Sequence, residues 1–240
     1  MPISMISKMR KRDINVIVNR NIKYKDSLEQ QQTLFDRALQ QKRQEESIQH
    51  HLIFNEHLPV ITLGKHANPH NILFSPALLE AKGIDLFSIQ RGGDVTYHGP
   101  GQWTVYPIFD LEEMGIGLRQ YVEKLEEVAI RVAAKYGVIG GRIRGASGVW
   151  IDPEKHPRKL CAVGIQASRF VTMHGIAFNV NTPPEAYSVI NPCGFTDKGV
   201  TNLSIEAGQE ISMEQALRDL CDAFIEIFQR PLLDYINRLK

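Results

Sequence analysis

The chain has 240 residues, the length of one large domain, and its 43% hydrophobic and 23% charged residues suffice to close a hydrophobic core. Its formal net charge of +1 is far below that of a typical nucleic-acid-binding protein, so we expect no nucleic-acid partner. No apolar run is long enough to cross a membrane, and the three widely spaced cysteines indicate neither a disulfide framework nor a zinc site. We therefore expect a cytoplasmic protein without a membrane partner or a metal.

The first half of the chain predicts several short strands and two helices. Residues 1–12 carry four positive charges without apolar periodicity and are predicted to be a basic flexible tail, which leaves 13–240 as the folded domain. Ser27, followed by Gln30, predicts the start of a first helix. Ser75-Pro76 and Gly83 predict the start and end of a second helix. Strands are expected at 15–18, 52–54, 60–63, 84–90 and 103–109.

The second half contains the clearest helix, residues 118–136, where apolar residues recur at intervals of three and four before Gly137. Ser212 and Gln215 predict the start of a last helix. Strands are expected at 149–151, 160–165 and 176–180. Because the helices are few and scattered among the strands, we predict an α+β fold, a single domain with a mixed β-sheet flanked by helices.

Residues 91–102, RGGDVTYHGPGQ, contain four glycines and a proline between two expected strands. Glycine allows a backbone to come close to a ligand, and its free N–H groups can bind an anion or a carbonyl oxygen. The segment matches neither a P-loop nor a dinucleotide-binding fingerprint. Because Arg, Thr, Tyr and His side chains are interleaved, we interpret it as a binding loop. The alternative is a long turn in which Gly and Pro only fix the geometry.

Cys193 is the candidate nucleophile. It stands between Pro192 and Gly194, after a proline-rich break, whereas Cys161 and Cys221 fall on a strand and on an apolar helix stripe and are predicted to be core residues. An idle loop thiol is the alternative. A nucleophilic thiol needs a neighbouring base or cation, and spacing alone does not choose among the candidates Lys159, His98 and His174.

Basic residues are concentrated between positions 142 and 169, with six basic and two acidic side chains in a nearly neutral protein. Such an asymmetry is suited to steering an acidic carrier protein. A solvated charge cluster is an equally good interpretation of the same residues.

Six blocks, in order along the chain, resemble the octanoyl-[acyl-carrier-protein]:protein N-octanoyltransferases of lipoate biosynthesis. Residues 91–102 resemble the RGG-x-x-TYHGPGQ signature of that family, and residues 106–111 resemble the YPI-x-DL that follows it. The remaining blocks are 148–150 (GVW), 159–164 (KLCAVG), 174–180 (HGIAFNV) and 191–194 (NPCG). Several blocks in the right order are a specific signal, unlike any one of them alone.

The resemblance implies a fold similar to the catalytic domain of lipoate- and biotin-protein ligases. It also implies that Cys193 attacks the thioester of octanoyl-acyl-carrier protein, while Lys159 takes the thiol proton. The acyl group would then pass to the lysine of lipoyl domains of 2-oxoacid dehydrogenases and of the glycine-cleavage H protein. No cofactor is expected, because a thioester is exchanged for a thioester and then for a more stable amide. A monomer is expected.

The resemblance further implies which residues bind the substrate. They are Arg91, Gly92, Gly93, Asp94, Val95, Thr96, Tyr97, His98, Ala162, Val163, Gly164, Gly175, Ile176 and Ala177. Small residues among them leave room for the acyl chain, whose burial favours binding by about 0.8 kcal/mol per methylene. Trp103 replaces a smaller aliphatic residue of the family, and it would shorten the acyl channel if its side chain faced that channel.

Four other functions remain alternatives. An ATP-dependent lipoate or biotin-type ligase would need no loop cysteine, and an amidotransferase between lipoyl-type proteins would differ only in its acyl donor. A non-enzymatic carrier-binding module would never become acylated. A hydrolase with His174 as its base would release free acid.

Overall fold

A nine-stranded mixed sheet and a smaller three-stranded sheet organise the part of the chain that the computed structural model describes, residues 13–191 and 199–233. Five α-helices accompany these strands in the described ranges. In chain order the elements are β1 (Ile14–Ile22), α1 (Tyr24–Arg43), β2 (His51–His57), β3 (Val60–Leu63), α2 (Pro76–Ala81), β4 (Asp85–Ser88), β5 (Val95–His98), β6 (Gln102–Ile108), α3 (Leu118–Lys135), β7 (Gly140–Ile143), β8 (Ala146–Ile151), β9 (Arg158–Ser168), β10 (Val171–Asn179), β11 (Gly199–Val200), α4 (Leu203–Ala207), α5 (Met213–Phe228) and β12 (Leu232–Leu233).

The large sheet has the strand order β12-β1-β2-β6-β10-β9-β8-β7, and β11 pairs with the beginning of β9. The pairs β12–β1, β1–β2 and β11–β9 are parallel, while the other pairs, including β2–β6, are antiparallel. The small sheet has the order β4-β3-β5. The predicted α+β fold with a mixed sheet is therefore confirmed.

Helices cover both faces of the large sheet because side chains alternate along its central strands. On β6, Trp103 and Val105 belong to a core with α3 and α5. Tyr106 and Ile108 belong to a second core, with Phe35 of α1. The alternation that places one set of side chains on each face thus produces three layers, with the sheet between α1 and the α3–α5 pair.

The helix predictions are confirmed except for the start of α1. Ser75 and Ser212 cap α2 and α5 as predicted, each accepting a backbone N–H bond, and α3 spans nearly all of the predicted range. Helix α1 begins at Tyr24 rather than at Ser27. Ser27 is buried, and its hydroxyl accepts a bond from Asn55 Nδ2 at 2.8 Å on strand β2, so a tertiary contact replaces the predicted cap.

Short elements account for most of the other differences. The segment interpreted as a single loop, 91–102, contains strand β5, which pairs with β3 of the small sheet. Strands β7, β11 and β12 and helix α4 were not predicted. The two-residue strands β11 and β12 have no periodicity that a sequence pattern could reveal. Among the described residues no helix is long and apolar enough to cross a membrane.

Candidate active site

A cavity of about 520 Å³ lies where the small sheet meets β9 and β10 of the large sheet. This volume is within the range of small-molecule binding sites. Of the fourteen residues expected to bind substrate, all except Tyr97 line it. Tyr97 packs its ring against Tyr187, at 5.5 Å between centroids, and belongs to a neighbouring hydrophobic cluster. The glycine-rich segment and the paired strands β9 and β10 therefore meet at one site.

Small residues on two neighbouring strands form part of the cavity wall. Ala162 of β9 lies opposite Ala177 of β10, and Gly164 lies opposite Gly175. On each strand the two residues are separated by one position, and they pair across the strands, so all four lie on one face of the sheet. Their short side chains leave the cavity open above the backbone.

Lys159 shares this face because of a β-bulge in β9. Cys161 pairs with Val149 and Lys159 pairs with Trp150, so Leu160 is the extra residue on its strand. The bulge shifts the alternation by one position. As a result Leu160 and Cys161 both enter the core with α3 and α5, while Lys159 lines the cavity.

The side chain of Lys159 is nearly buried, at 9% exposure. Its Nζ lies 4.5 Å from the centroid of the Trp150 ring, at cation–π distance. Its backbone carbonyl accepts a bond from the N–H of Thr201, at 3.0 Å, and Val200 of β11 pairs with it. The strand that follows residues 192–198 thus holds the backbone of Lys159 in place.

The turn Arg91–Asp94, which we call the RGG turn, is fixed to both sheets by backbone hydrogen bonds. Gly92 N–H donates to Ile165 O of β9 at 2.8 Å, and Gly64 N–H donates to Asp94 O at 3.1 Å. A Cβ added to Gly64 would lie 2.3 Å from Gly93 O, far inside van der Waals contact. The turn therefore reaches the cavity only because position 64 has no side chain.

Asp94 connects this turn to the segment that precedes residue 192. Its carboxylate accepts bonds from Asn68 N–H at 2.9 Å and from Asn71 Nδ2 at 2.5 Å. Asn71 O in turn accepts the N–H of Asn191, at 2.8 Å. Asn191 is thus held to the RGG turn through two successive contacts.

Polar rings form the part of the cavity next to the small sheet. Tyr24, His98, Tyr106 and His174 all line it, together with Arg91. Burial lowers the pKa of His174 to about 3 and lowers the pKa of His98 well below its usual value. Both imidazoles are therefore neutral near pH 7.

Cys193, the predicted nucleophile, lies outside the described residues. The other two cysteines, Cys161 and Cys221, are buried in the core with α3 and α5, as predicted. The described chain on either side of the undescribed segment contains residues that line the cavity, Tyr187 before it and Val200 after it. All three candidate bases, Lys159, His98 and His174, line the cavity as well.

Trp103 does not line the cavity. It is fully buried on the opposite face, its indole N–H donates to Met213 O at 2.8 Å, and its ring meets Phe54 edge-on. The substitution of this position therefore fills the core under α5 rather than shortening the cavity.

Several residues that line the cavity were not predicted from the residues themselves. Tyr106 and Asn179 lie inside two of the blocks that resemble the family, so the resemblance could have identified them as cavity residues. Tyr24 had no such signal, because the predicted helix began three residues after it. Tyr187 and Val200 reach the site through a 3₁₀ helix and a two-residue strand.

The basic region 142–169 is partly neutralised in the fold. Arg142 forms ion pairs with Glu126 and Glu127, and Arg158 pairs with Glu206 through two N–H bonds. These acidic partners lie outside the basic region itself. The charge asymmetry available to an acidic carrier is therefore smaller than the sequence suggests. Among the described residues, no group of three or more His, Cys, Asp or Glu side chains could hold a metal ion.

Comparison with known proteins places the chain in a family. The family model "Lipoyl protein ligase A/B catalytic domain" matches residues 28–225. The chain belongs to the lipoyl protein ligase A/B family. An octanoyltransferase of Parabacteroides distasonis is 49% identical over 209 residues, which cover 86% of this chain and 95% of the relative. An octanoyltransferase of Bacteroides fragilis is 47% identical over 195 residues, 81% of this chain and 88% of the relative. The predicted acyltransferase class is confirmed by these relatives.

A solved lipoate protein ligase has the same fold. It is a bi-partite lipoate protein ligase, described with its E2 lipoyl domain, from Thermoplasma acidophilum, and it matches with a TM-score of 0.68 at 13% identity. The match covers 92% of this chain and 86% of that chain. At this identity the likeness shows a shared fold, and it confirms the predicted similarity to lipoate-ligase catalytic domains.

Proposed function

We propose that the protein transfers an octanoyl group from octanoyl-acyl-carrier protein to the lysine of a lipoyl domain, through a thioester on Cys193. The observation that carries the proposal is the position of Lys159, a nearly buried lysine in the wall of a cavity whose neighbouring wall residues are Ala and Gly. Relatives named octanoyltransferase support the identity of the acyl group.

In the first step the Cys193 thiolate attacks the thioester carbonyl of the donor. A new carbon–sulfur bond forms, the bond to the carrier's pantetheine sulfur breaks, and the departing thiolate receives the proton that Lys159 took from Cys193. Thiolate rather than thiol is the nucleophile, so a base close to the thiol is required. The neutral His174, with its pKa of about 3, is a weak base near pH 7, and this favours Lys159 for the role.

In the second step the amine of the acceptor lysine attacks the octanoyl-cysteine thioester. A carbon–nitrogen bond forms, the bond to Cys193 breaks, and a proton from the amine passes through Lys159 to the cysteine sulfur. Exchange of a thioester for an amide is favourable, so the two reaction steps need neither ATP nor a metal. We further propose a monomeric enzyme of the cytoplasm, a compartment in which a free thiol stays reduced.

The test is intact mass spectrometry after the protein is mixed with octanoyl-acyl-carrier protein without ATP, for wild type, Cys193→Ala and Lys159→Ala. We expect an octanoyl adduct on wild type that disappears when a lipoyl domain is added, and no adduct on Cys193→Ala. Lys159→Ala should acquire the adduct much more slowly.

Other outcomes would support the alternative functions and contradict this one. Acceptor modification only with ATP and free octanoate would indicate a ligase, and release of free acid would indicate a hydrolase. Transfer only from an octanoylated lipoyl-type protein would indicate an amidotransferase. Carrier binding without any adduct would indicate a binding module.

A further inference from the structure

A buried chain of hydrogen bonds joins the two walls of the cavity. It starts at the RGG turn, passes through side chains of the small sheet and of the central strands β6 and β10, and ends at the residue after β11. We call it the polar chain, and its members are Arg91, Thr62, His98, Gln102, Asn179 and Thr201. Each of them is at most 7% exposed.

Two backbone carbonyls determine which group donates and which accepts along the polar chain. Asn179 Nδ2 lies 3.0 Å from Thr201 O, and Gln102 Nε2 lies 3.2 Å from Tyr97 O. A carbonyl only accepts hydrogen bonds, so both amide nitrogens must point towards these oxygens. Gln102 Nε2 then donates to Asn179 Oδ1 at 2.9 Å.

The orientation of Gln102 determines the tautomer of His98. Gln102 Oε1 is an acceptor and lies 2.7 Å from His98 Nδ1, so the imidazole must carry its proton on Nδ1. Burial keeps the pKa of His98 well below its usual value, and the ring is therefore neutral. Its Nε2 is left as an acceptor.

The hydrogen bonds keep the same donor-to-acceptor order at the RGG turn. Arg91 donates to Thr62 Oγ1 from Nε at 3.2 Å and from Nη2 at 3.0 Å. Because Thr62 Oγ1 accepts from the guanidinium, its own hydrogen is available to His98 Nε2, which lies 3.4 Å away. Every polar side chain from Arg91 to Asn179 thus donates to the next member.

Both ends of the polar chain meet the proposed reaction site. Arg91 lines the cavity and carries the turn whose glycines line it too. At the other end, Thr201 N–H donates to the carbonyl of Lys159. We propose that Gln102 and Asn179 are positioning residues, which hold His98 in the Nδ1–H tautomer and fix the RGG turn relative to the strand that carries Lys159.

This inference rests on the proposed octanoyl transfer for its activity readout, but the tautomer of His98 is measured independently of activity. The first measurement is the nitrogen-15 NMR pattern of the His98 ring in the wild-type protein at pH 7. We expect protonation on Nδ1 alone. Protonation on Nε2 in the wild type would overturn the inference without any variant.

The second measurement uses Gln102→Met, which keeps the length of the side chain but removes the acceptor for His98 and the amide donor that faces Asn179, the Tyr97 carbonyl and the Tyr187 hydroxyl. We expect a mixed or Nε2–H tautomer of His98, and a fall of about 10²-fold in the single-turnover rate of octanoyl transfer, the size of effect expected when a reacting group is misplaced. Gln31→Met is the matched control, because Gln31 is equally buried, at 0% exposure, and lies outside the polar chain.

The controls separate the two proposals. If Gln102→Met keeps the Nδ1–H tautomer and a wild-type rate, or if Gln31→Met loses rate to the same extent, the positioning role is wrong. If the wild type transfers no octanoyl group although its His98 carries Nδ1–H, the proposed function fails and the tautomer assignment stands. If Gln102→Met does not fold, the wild-type spectrum still decides the tautomer.

Discussion

The side chain of Lys159 reaches the cavity through one inserted residue, Leu160. Simple alternation along β9 would place Lys159 on the same face as Cys161, against α3 and α5. The bulge at Leu160 reverses this, so the lysine lies over Trp150 at the cavity wall. No local sequence pattern predicts this bulge, because the strand run is continuous on both sides of it.

Lys159→Arg separates charge from proton transfer at this position. Arginine keeps the positive charge and can stack over Trp150, but its guanidinium does not deprotonate near neutral pH. If Lys159 moves a proton between Cys193 and the substrates, we expect the rate of octanoyl-adduct formation to fall by about 10²–10⁴-fold. Stopped-time mass spectrometry with octanoyl-acyl-carrier protein measures this rate.

The control for that substitution is Lys155→Arg, an exposed lysine four residues earlier, which should leave the rate unchanged. A Lys159→Arg protein that acylates within about threefold of wild type would show that only the charge of residue 159 matters. The assignment of Lys159 as proton acceptor would then be abandoned.

At the scale of elements, the RGG turn depends on the end of β3. Gly64 leaves the strand directly beneath the turn, where a Cβ would lie 2.3 Å from Gly93 O and 3.0 Å from Arg91 O. Both contacts are with backbone, which cannot move aside as the end of a flexible side chain can. The position of the turn and the identity of residue 64 are therefore coupled.

Gly64→Ala should displace the RGG turn away from β3. We expect the free energy of unfolding to fall by about 1–3 kcal/mol, as is usual for overpacking. We also expect the rate of octanoyl transfer at room temperature to fall by more than the fraction of protein that this destabilisation unfolds. Urea denaturation and the single-turnover rate measure the two effects. Gly117→Ala is the control, since an added Cβ there meets nothing within 4 Å; equal effects of the two variants would contradict this role of Gly64.

The elements that a sequence pattern predicts best are those that repeat one period over many residues. Helix α3 keeps its apolar stripe for 18 residues and was predicted almost completely. Helix α1 was predicted to start at Ser27, because a serine followed by a glutamine resembles a cap, whereas tertiary contacts hold Ser27 inside the helix. The two residues of β11 belong to a strand only because Lys159 lies beside them. Most cavity residues were reached through the family resemblance, and their arrangement around the cavity depends on strand register that no local pattern contains.

At the scale of the whole molecule, buried histidines lie where the two sheets meet. His57 of β2 and His98 of β5 have ring centroids 5.9 Å apart, and Tyr24 of α1 contacts both rings. His174 of β10 contacts Tyr106, whose hydroxyl lies 2.9 Å from His57 Nε2. This cluster joins α1, the small sheet and the large sheet, so the stability of the fold and the shape of the cavity depend on the same uncharged rings.

The neutrality of these rings predicts acid sensitivity. Burial lowers the pKa of His57 to about 4 and that of His174 to about 3, against about 6.5 in an unfolded chain. Below pH 6.5 the unfolded state therefore binds more protons than the native state, and stability is lost as the pH falls towards these native values. For each of the two histidines, the free energy of unfolding should fall by about 2 kcal/mol when the pH is lowered from 7 to 5.

His57→Gln tests this directly, because glutamine can still meet the Tyr106 hydroxyl but does not titrate. Urea denaturation of wild type and variant at pH 7 and pH 5 gives the pH-dependent loss of stability for each protein. We expect that loss to be about 2 kcal/mol smaller in His57→Gln, whatever the variant's stability at pH 7. His156→Gln removes an exposed histidine and should leave the loss as it is in wild type. If His57→Gln loses as much stability as wild type on acidification, His57 is already protonated in the native state at pH 5, and the neutral cluster between the two sheets is refuted.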